Sequence, residues 1–485
     1  MKYKYNPRRD IKRLWLYFLN IIIIVSISVL FVGCNKKKVT GKKQIILISI
    51  DTLRGDHLSS YGYFRDTSPN LSKLIEDSVY YPNAYPNGCW TMPSHVSLLT
   101  GTLPSRHRIN KSWGSIVKNK KYPKLNESIK NIAEVLKNHQ KDIKTVKFAQ
   151  LPDELGFGNG FDKDRRIDPF FGVIIFKKLL EEIENNKEND FFFFIHTWMV
   201  HAPYTNCYFL EKPEISKKQR KYIKNFRKLG IKGPLTTEFM TYLQGIHLFN
   251  IDDCVTLYDS GIHYVDEYIG KIINKTKELG IYEDVMFIVV SDHGEHFSEH
   301  YPDRFFDFHG RDYYEEFIKV PVIIKYPHRF KHGVIQHLVS LIDVFPTVLD
   351  FYDIRPPGYI QGESLLKSYA KKNKKYIVSE SLSVSHIERK MVRLGDLKYI
   401  ITMKDPSKPE RVNWDSIIRR ELFNLKNDPR EKNNLYKDLK YRKACIEFEK
   451  MLMNIINNSA KFNRSQKETE ITEETIKQME SLGYL

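Results

Sequence analysis

Two short apolar runs stand out in the chain, and acidic residues follow each of them at once. Residues 44–50 (QIILISI) lead into Asp51, and residues 285–290 (VMFIVV) lead into Asp292 and His293. Runs of this length without polar alternation predict strands that are buried on both faces of a parallel sheet. Open α/β sheets bind their ligands at the carboxyl ends of the strands. We therefore expect these acidic residues at a ligand-binding edge.

The rest of the pattern alternates between helices and strands as far as residue 375. Helical periodicity and start signals predict helices after Ser68 and over 127–139, 170–184, 237–279 and 343–349; apolar runs predict strands at 146–149, 191–195, 322–325 and 338–342. Two polar or aromatic stretches, 211–236 and 301–308, are interpreted as insertions. Later segments predict strands at 377–382, 391–394, 398–402 and 421–425, a helix over 438–456 and a loose connection over 457–472.

The segment 87–101 (NGCWTMPSHVSLLTG) predicts a turn into a helix with Thr91 at its start. Pro93 has no backbone donor and suits the first helical turn. Free N–H groups and the positive end of the dipole attract anions there. A hydroxyl at this place can attack phosphorus or sulfur if a metal lowers its pKa. The alternative is that Thr91 only caps the helix.

The amino terminus indicates export and a membrane tether. Six Lys or Arg residues in 1–13 precede the uncharged, apolar stretch 14–32, which ends next to Cys34. We expect residues 1–34 to be a signal, a lipoprotein signal with Cys34 as the lipidated residue, or an uncleaved anchor, followed by a basic linker over 35–43. The globular part is then tethered outside the cytoplasm.

Composition fits a large globular protein with an excess of positive charge. The 485 residues are 41% hydrophobic and carry a net charge of +18. Such a charge favours an anionic partner, either a sulfated or phosphorylated polymer or an anionic lipid, although solvated lysine-rich faces explain it equally well. No nucleic-acid motif is present, so nucleic acid is not expected as a partner. The cysteines other than Cys34 are too scattered for a disulfide framework.

Several motifs resemble those of the sulfatase family in the alkaline-phosphatase-like superfamily, and they occur in the family's order. They include ILISIDTLRGDHLSSYGY (46–63), TMPSHVSLLTGTLPSRH (91–107), VHAPY (200–204), SDHGEHFSEH (291–300) and ELFNLKNDPREKNNL (421–435). The resemblance implies an α/β fold: a mixed, mainly parallel sheet sandwiched by helices, with a small C-terminal antiparallel-sheet subdomain. It also implies a catalytic domain over 44–375 and a C-terminal subdomain over 376–485.

The resemblance implies a single divalent metal ion held by Asp51, Thr91, Asp292 and His293. Two carboxylates and one imidazole suit Ca²⁺, Mg²⁺, Mn²⁺ or Zn²⁺ without deciding among them. Thr52 stands where many sulfatases carry a second acid, and His293 replaces a common Asn. The set is similar to that of phosphonate and phosphodiester hydrolases and phosphoglycerol transferases.

Alignment on Pro93 places Thr91 at the position that sulfatases oxidise to formylglycine. A threonine Cβ carries a methyl group and cannot become an aldehyde, so no formylglycine is expected. An ester of threonine must be released by attack at the central atom, which is well established for phosphoryl groups and harder for sulfate. Thr91 as nucleophile therefore favours phosphoester or phosphodiester substrates over sulfate esters.

Three histidines match further family positions. The resemblance implies that His95 orients the nucleophile or its bound oxygen, with a buried structural histidine as the alternative. It implies that His201 touches the terminal oxygens or leaving group of the substrate and that His309 lies near the metal; either could be a general acid. Weaker candidates are His196, Asp56, His57 and Arg54.

These features predict a metal-dependent hydrolase of sulfuric or phosphoric esters. The first alternative is a membrane-tethered transferase that moves a phosphoryl head group onto a glycan or lipid. The second is a binding protein that has kept the fold without catalysis. An intact set of acids and histidine favours an enzyme.

Overall fold

The computed structural model describes residues 41–109, 121–149, 151–165, 172–202, 204, 208–209, 251–301, 309–310, 312–326, 332–368, 376–382, 387–404, 414–462, 468–470 and 472–473. They belong to one compact unit that starts at Gly41. The predicted signal or anchor, Cys34, the insertion at 211–236 and residues 302–308 of the second insertion lie outside them. Within the described ranges, no helix has the length and apolar character needed to cross a membrane.

Strands form a large mixed sheet, a four-stranded sheet and a short pair. In chain order they are β1 Gln44–Ile50, β2 Ser78–Tyr85, β3 Lys121–Pro123, β4 Lys144–Phe148, β5 Lys163–Asp164, β6 Phe191–Thr197, β7 Val285–Val290, β8 Val320–Lys325, β9 Gly333–Val334, β10 Val339–Ser340, β11 Ile377–Leu382, β12 Glu388–Leu394, β13 Leu397–Met403, β14 Ile417–Asn424 and β15 Glu468–Glu470. The large sheet has the order β10-β2-β8-β7-β1-β6-β4-β5, with β9 beside β2.

The strand β1 lies at the centre of this sheet, parallel to both neighbours, β6 and β7. Only β8 runs against its neighbours, β7 and β2. Alternate residues of β1 enter two different apolar cores, because Ile45 and Leu47 face one side and Ile46 and Ile48 face the other. Burial on both faces explains the unbroken apolar run, and the predicted mixed, mainly parallel sheet is confirmed.

Helices cover both faces of the sheet. The α-helices are Pro69–Glu76, Thr91–Thr100, Pro104–His107, Ile132–His139, Gly172–Asn185, Ile251–Glu278, Glu315–Ile318, Val344–Phe351, Leu365–Ser368 and Arg442–Phe462. Short 3-10 helices lie at Gly55–His57, Ser59–Tyr61, Asp153–Leu155, Leu341–Asp343, Trp414–Ser416 and Leu439–Tyr441.

The C-terminal antiparallel sheet follows the order β11-β12-β13-β14 and shares an apolar core with the helix Arg442–Phe462. Its first strand supports the loop that leads to Thr91. Asn87 Nδ2 donates to the Val378 carbonyl at 2.7 Å, and the Glu380 N–H donates to the Asn87 carbonyl at 2.9 Å. The predicted C-terminal sheet is thus confirmed, and it holds one side of the turn that carries Thr91. The domain boundary near residue 375 remains a prediction.

Four segments differ from the sequence-based expectations. The pattern gave no signal for β2, which contains Pro82 and Asn83. The helix expected over 127–139 begins at Ile132, because Asn131 forms a capping box with Glu134. Of the strand expected over 338–342, only Val339 and Ser340 are extended, because a 3-10 helix begins at Leu341. The loose connection expected over 457–472 is wrong in part, since the helix continues to Phe462 and β15 pairs with β3.

Candidate active site and metal centre

Three adjacent strands deliver the acidic and imidazole groups to one edge of the sheet. Asp51 follows β1, Asp292 and His293 follow β7, and His196 lies near the end of β6, in register with Ser49. Parallel strands share the direction of their carboxyl ends, so residues distant in sequence meet there. All four side chains are at most 1% exposed.

Asp51, Asp292 and His293, which we call the Asp51 centre, place one ligand atom each within 4.8 Å of the others. His293 Nε2 lies 3.3 Å from Asp51 Oδ1 and 3.5 Å from Asp292 Oδ2. The three side chains that sequence reasoning assigned to one ion therefore lie together, around a point that all three can reach.

Thr91 lies beside this centre, at the first residue of its helix. Its Oγ1 is 3.2 Å from His293 Nε2 and 3.5 Å from Asp51 Oδ2. The N-cap residue is Trp90, and no side-chain bond caps the helix. The capping alternative therefore does not explain the Thr91 hydroxyl, which points at the Asp51 centre.

The protonation of His293 can be deduced from its contacts. Its Nδ1 lies 3.0 Å from the Gly294 carbonyl, which can only accept, so Nδ1 carries the hydrogen. Burial lowers the pKa of His293 to about 4, so the ring is neutral and the close approach to Asp51 is not an ion pair. The lone pair on Nε2 consequently faces two carboxylate oxygens.

The two carboxylates of this centre are only partly paired within the described residues. Neither Asp51 Oδ1 nor Asp292 Oδ2 has a hydrogen-bond partner within the described structure. Burial raises the pKa of both carboxyls, and the charge of Asp51 raises the pKa of Asp292 further. Buried charges are normally paired or coordinate metals. Two orphaned carboxylate oxygens and an imidazole lone pair around one point fit a divalent cation.

The backbone near the centre is shaped to hold these groups. Thr52 has a φ of 60°, a strained value for a β-branched residue, and its N–H lies 3.3 Å from Asp292 Oδ1. The Thr52 hydroxyl turns back to the Asp51 carbonyl at 2.7 Å, so Thr52 does not act in place of the missing acid. At Gly294, a Cβ would lie 2.0 Å from the Glu316 carbonyl, so only glycine fits after His293.

His95 lies beneath the centre rather than at the Thr91 hydroxyl. Its Nδ1 is 2.9 Å from the Thr91 carbonyl and 3.4 Å from Asp292 Oδ2, and its Nε2 is 3.0 Å from Ser49 Oγ. The ring is fully buried, and burial lowers its pKa to about 3. A neutral His95 thus supports the backbone of Thr91 and lies close to the carboxylate of Asp292 without a hydrogen bond to Oδ2.

His201 and His309 lie close to each other, and the His309 ring lies next to the His293 ring. Their ring centroids are 4.9 Å apart, and His309 is 4.7 Å from the His293 ring. His201 Nδ1 donates to the Ala202 carbonyl, whereas its buried Nε2 has no partner within the described residues. Burial lowers the pKa of His201 to about 4, which leaves Nε2 with a free lone pair.

Sequence reasoning missed Glu295, which is fully buried beside these histidines. Its Oε1 lies 3.2 Å from His309 Nδ1, and its Oε2 accepts from the Tyr204 hydroxyl at 3.0 Å. Burial raises the pKa of Glu295. In the sequence, Glu295 could have been found from its position directly after Asp292-His293-Gly294. His196, one of the weaker candidates in the sequence, also lies at this centre, because its Nε2 is 3.1 Å from Asp51 Oδ2.

Known proteins with similar sequences support a family assignment. The sequence model of the family described as Sulfatase matches residues 43–354, and the model described as N-sulphoglucosamine sulphohydrolase, C-terminal, matches residues 302–458. The N-acetylglucosamine-6-O-sulfatase of Bacteroides thetaiotaomicron is 30% identical over 199 residues, which cover 39% of this chain and 33% of that protein. The chain thus spans about a third of the length of that relative.

Two further proteins are similar over nearly the whole chain. The ulvan-active sulfatase of Formosa agariphila is 22% identical over 508 residues, covering 90% of this chain and 81% of that protein. The crystal structure of the phosphonate monoester hydrolase of Agrobacterium radiobacter has a TM-score of 0.64 at 16% identity, covering 86% of this chain and 96% of that one. Because the family model matches well over half of its residues, the chain belongs to the sulfatase family.

Proposed function

We propose that the chain is a metal-dependent ester hydrolase with Thr91 as its nucleophile, and that it prefers phosphate esters to sulfate esters. The lone pair of His293, directed at two orphaned carboxylate oxygens within 3.5 Å, carries this proposal. A divalent cation between these three groups would balance both carboxylate charges and bind the imidazole lone pair. The Thr91 hydroxyl, 3.2 Å from His293 Nε2, lies within reach of the same point.

A divalent ion bound by Asp51, Asp292 and His293 would lower the pKa of the Thr91 hydroxyl and polarise the ester. Thr91 Oγ would then release its proton to solvent, attack phosphorus to form the new O–P bond, and displace the leaving oxygen on the opposite side. The N–H groups of Thr91 and Met92 begin the helix without intrahelical acceptors, which favours an anionic group there.

His309 and His201 can divide the proton transfers between them. His309, held by Glu295 at 3.2 Å, gives a proton to the leaving oxygen. His201 is neutral, with a free Nε2 lone pair, and takes a proton from the water that releases the group from Thr91. His95 keeps the backbone of Thr91 in place through its carbonyl.

The preference for phosphorus rests on Thr91 itself, because threonine cannot supply the aldehyde hydrate by which sulfatases release sulfate. The similar fold of a phosphonate monoester hydrolase supports this reading. The named sulfatase relatives favour the competing reading, in which a sulfated glycan is the substrate. Export and tethering by residues 1–34 remain part of the proposal, and they would place the site outside the cytoplasm.

A substrate comparison tests the proposal. Full-length protein, reloaded separately with Mn²⁺, Zn²⁺, Mg²⁺ or Ca²⁺, is assayed on 4-nitrophenyl phosphate, bis(4-nitrophenyl) phosphate and 4-nitrophenyl sulfate. We expect kcat/KM for at least one phosphorus ester to exceed that for the sulfate by more than about tenfold. Thr91→Ala should abolish turnover of all substrates, whereas Thr100→Ala, at the other end of the same helix, should retain it.

Mass spectrometry of acid-quenched protein should find the phosphoryl group on Thr91. Turnover that survives Thr91→Ala would refute the role of Thr91, and faster hydrolysis of the sulfate would overturn the proposed preference. Added alcohol separates hydrolysis from transfer, because a transferase would give mainly the alcohol ester.

A further inference from the structure

A chain of hydrogen bonds leads from Trp198 through His196 to Asp51. The Trp198 indole Nε1 lies 3.1 Å from His196 Nδ1, and His196 Nε2 lies 3.1 Å from Asp51 Oδ2. His196 is 1% exposed and Asp51 is fully buried. None of these contacts has a role in the steps described above, and no motif singled out Trp198.

The first bond fixes the tautomer of His196. An indole N–H can only donate, so His196 Nδ1 must accept and cannot carry a hydrogen. The hydrogen of the neutral ring is therefore on Nε2, which donates it to Asp51 Oδ2. This bond occupies one oxygen of Asp51 and leaves the other, Oδ1, directed at His293 Nε2 at 3.3 Å.

His196 could instead belong to a second metal site, because His95, His196 and Asp292 also place three ligand atoms within 4.8 Å. Their tautomers exclude this. His95 Nδ1 faces the Thr91 carbonyl at 2.9 Å and so carries a hydrogen, and His196 Nε2 carries one as shown above. His95 Nδ1, which lies near Asp292, and His196 Nε2, which lies near Asp51, are therefore both donors, whereas a metal ligand needs a lone pair.

We propose that His196, with its tautomer set by Trp198, is a positioning residue that orients Asp51 toward the metal. This inference rests on the proposed metal-dependent function. It adds two residues, His196 and Trp198, that orient the metal ligand Asp51. Outer-shell partners of metal ligands commonly set affinity by 10–100-fold. Loss of the His196 donor leaves Asp51 Oδ2 buried with only the Thr91 hydroxyl, 3.5 Å away, so Asp51 should bind the ion less well.

The test measures metal affinity directly. Metal-free full-length protein is titrated with Mn²⁺, and free Mn²⁺ is followed by electron paramagnetic resonance. We expect His196→Ala to weaken binding by about 10–100-fold. Trp198→Phe, which removes only the indole donor, should weaken it by a smaller factor. His196→Gln, whose side-chain amide can still donate to Asp51, should recover part of the loss.

Two matched variants serve as controls. His57→Ala disrupts another buried histidine–carboxylate pair, since His57 Nδ1 is 2.8 Å from Asp259 Oδ1, and Trp414→Phe makes the same change far along the chain. Both should bind Mn²⁺ like the wild type. Thermal unfolding of each metal-free variant identifies any that fail to fold, in which case Trp198→Phe decides the question.

The outcomes separate the two proposals. Absence of Mn²⁺ binding by the wild type, and of binding by Zn²⁺, Mg²⁺ or Ca²⁺ in calorimetry, would overturn the proposed function before any variant is considered. Normal wild-type binding with equal affinity in His196→Ala and Trp198→Phe would overturn the positioning role alone. Tighter binding by Trp198→Phe would also overturn it, because His196 Nε2 would then be a ligand that needs the opposite tautomer.

Discussion

Two clusters in this molecule contain the same kinds of ligand atoms at the same separation, yet their electrostatics differ. The Asp51 centre brings three such atoms within 4.8 Å, and so do His296, Glu299 and Glu316, which we call the Glu316 cluster. In the Asp51 centre, two carboxylate oxygens have no hydrogen-bond partner among the residues that the structure describes. In the Glu316 cluster, both carboxylates are paired with cationic or imidazole groups.

The partners of the two carboxylates in the Glu316 cluster come from two distant segments of the chain. Arg54 Nη1 binds Glu299 at 2.5 Å, and His300 Nδ1 binds Glu316 at 2.5 Å. The backbone N–H groups of Ser298 and His300 face the two ring nitrogens of His296. Residue types and distances therefore do not identify a metal site by themselves. Within the described residues, the two carboxylate oxygens without hydrogen-bond partners distinguish the Asp51 centre from the Glu316 cluster.

The largest expected effect comes from removing one carboxylate charge in each cluster. Asp292→Asn should weaken Mn²⁺ binding by more than about 100-fold, beyond the usual cost of losing an outer-shell partner, because a direct ligand is lost. Glu316→Gln should leave Mn²⁺ affinity unchanged, since Glu316 already has His300 as its partner. Calorimetric titration of the metal-free proteins compares the two.

Each variant serves as the control for the other, because both remove a charge from a buried carboxylate. Weaker binding in Glu316→Gln with intact binding in Asp292→Asn would reverse the assignment of the clusters. Equal losses would show that the difference in partners does not decide where metal binds.

The next effect concerns Glu295, which lies in sequence between the two clusters. Glu295→Gln keeps the shape of the side chain but replaces the carboxyl group beside His309 Nδ1, which can exchange a proton with the ring, by an amide, which cannot. Because general acid catalysis contributes about 10²–10⁴-fold, we expect kcat to fall by about 10–100-fold on a methyl or phenyl phosphoester. With 4-nitrophenolate, which leaves without protonation, kcat should change by less than about threefold.

The dependence of the kcat loss on the leaving group distinguishes an effect of Glu295 on His309 from general damage to the site. A misfolded or loosened site would slow both kinds of substrate alike. Tyr204→Phe, which removes the other hydrogen bond to Glu295, is the matched control and should have a smaller effect. An equal loss on both leaving groups in Glu295→Gln would argue against His309 as the acid.

The sequence predicted the central strands and the Asp51 centre because their determinants are local. An unbroken apolar run followed by an acid predicts both a buried strand and the edge at which it ends. The roles of Trp198 and Glu295 depend on which atoms they meet after folding, and no spacing encodes that. His95 illustrates the limit: the resemblance implied that it orients the nucleophile or its bound oxygen, but only the structure shows that its Nδ1 meets the Thr91 carbonyl.

The same reasoning explains why the Glu316 cluster drew no prediction. Its residues lie in the motif 291–300 and in the following helix, but Arg54 comes from a loop after β1. Only the folded chain shows that Arg54 and His300 satisfy these carboxylates. The β2 strand was missed for a related reason, since its pairing with β8 and β10 outweighs a weak local pattern.

The smallest expected effect is a difference in the pH dependence of stability between the clusters. Burial lowers the pKa of His300, but the hydrogen bond and charge of Glu316 outweigh it, so the pKa is raised overall. Stability from His300 is thus fully present below pH 6.5, the usual value, and is lost as the pH rises through its folded pKa. His293, with a pKa lowered to about 4, has the opposite sign: its contribution is lost as the pH falls from 6.5 toward 4.

Urea unfolding of the metal-free protein at pH 5.5 and pH 8.5 tests this contrast. His300→Gln should lose at most about 1 kcal/mol more stability at pH 5.5 than at pH 8.5, since its ion pair is only partly buried. His139→Gln, at an exposed position, should show no such difference. A larger loss at pH 8.5 would mean that His300 is not protonated toward Glu316, and the cluster would then lack the countercharge that distinguishes it from the Asp51 centre.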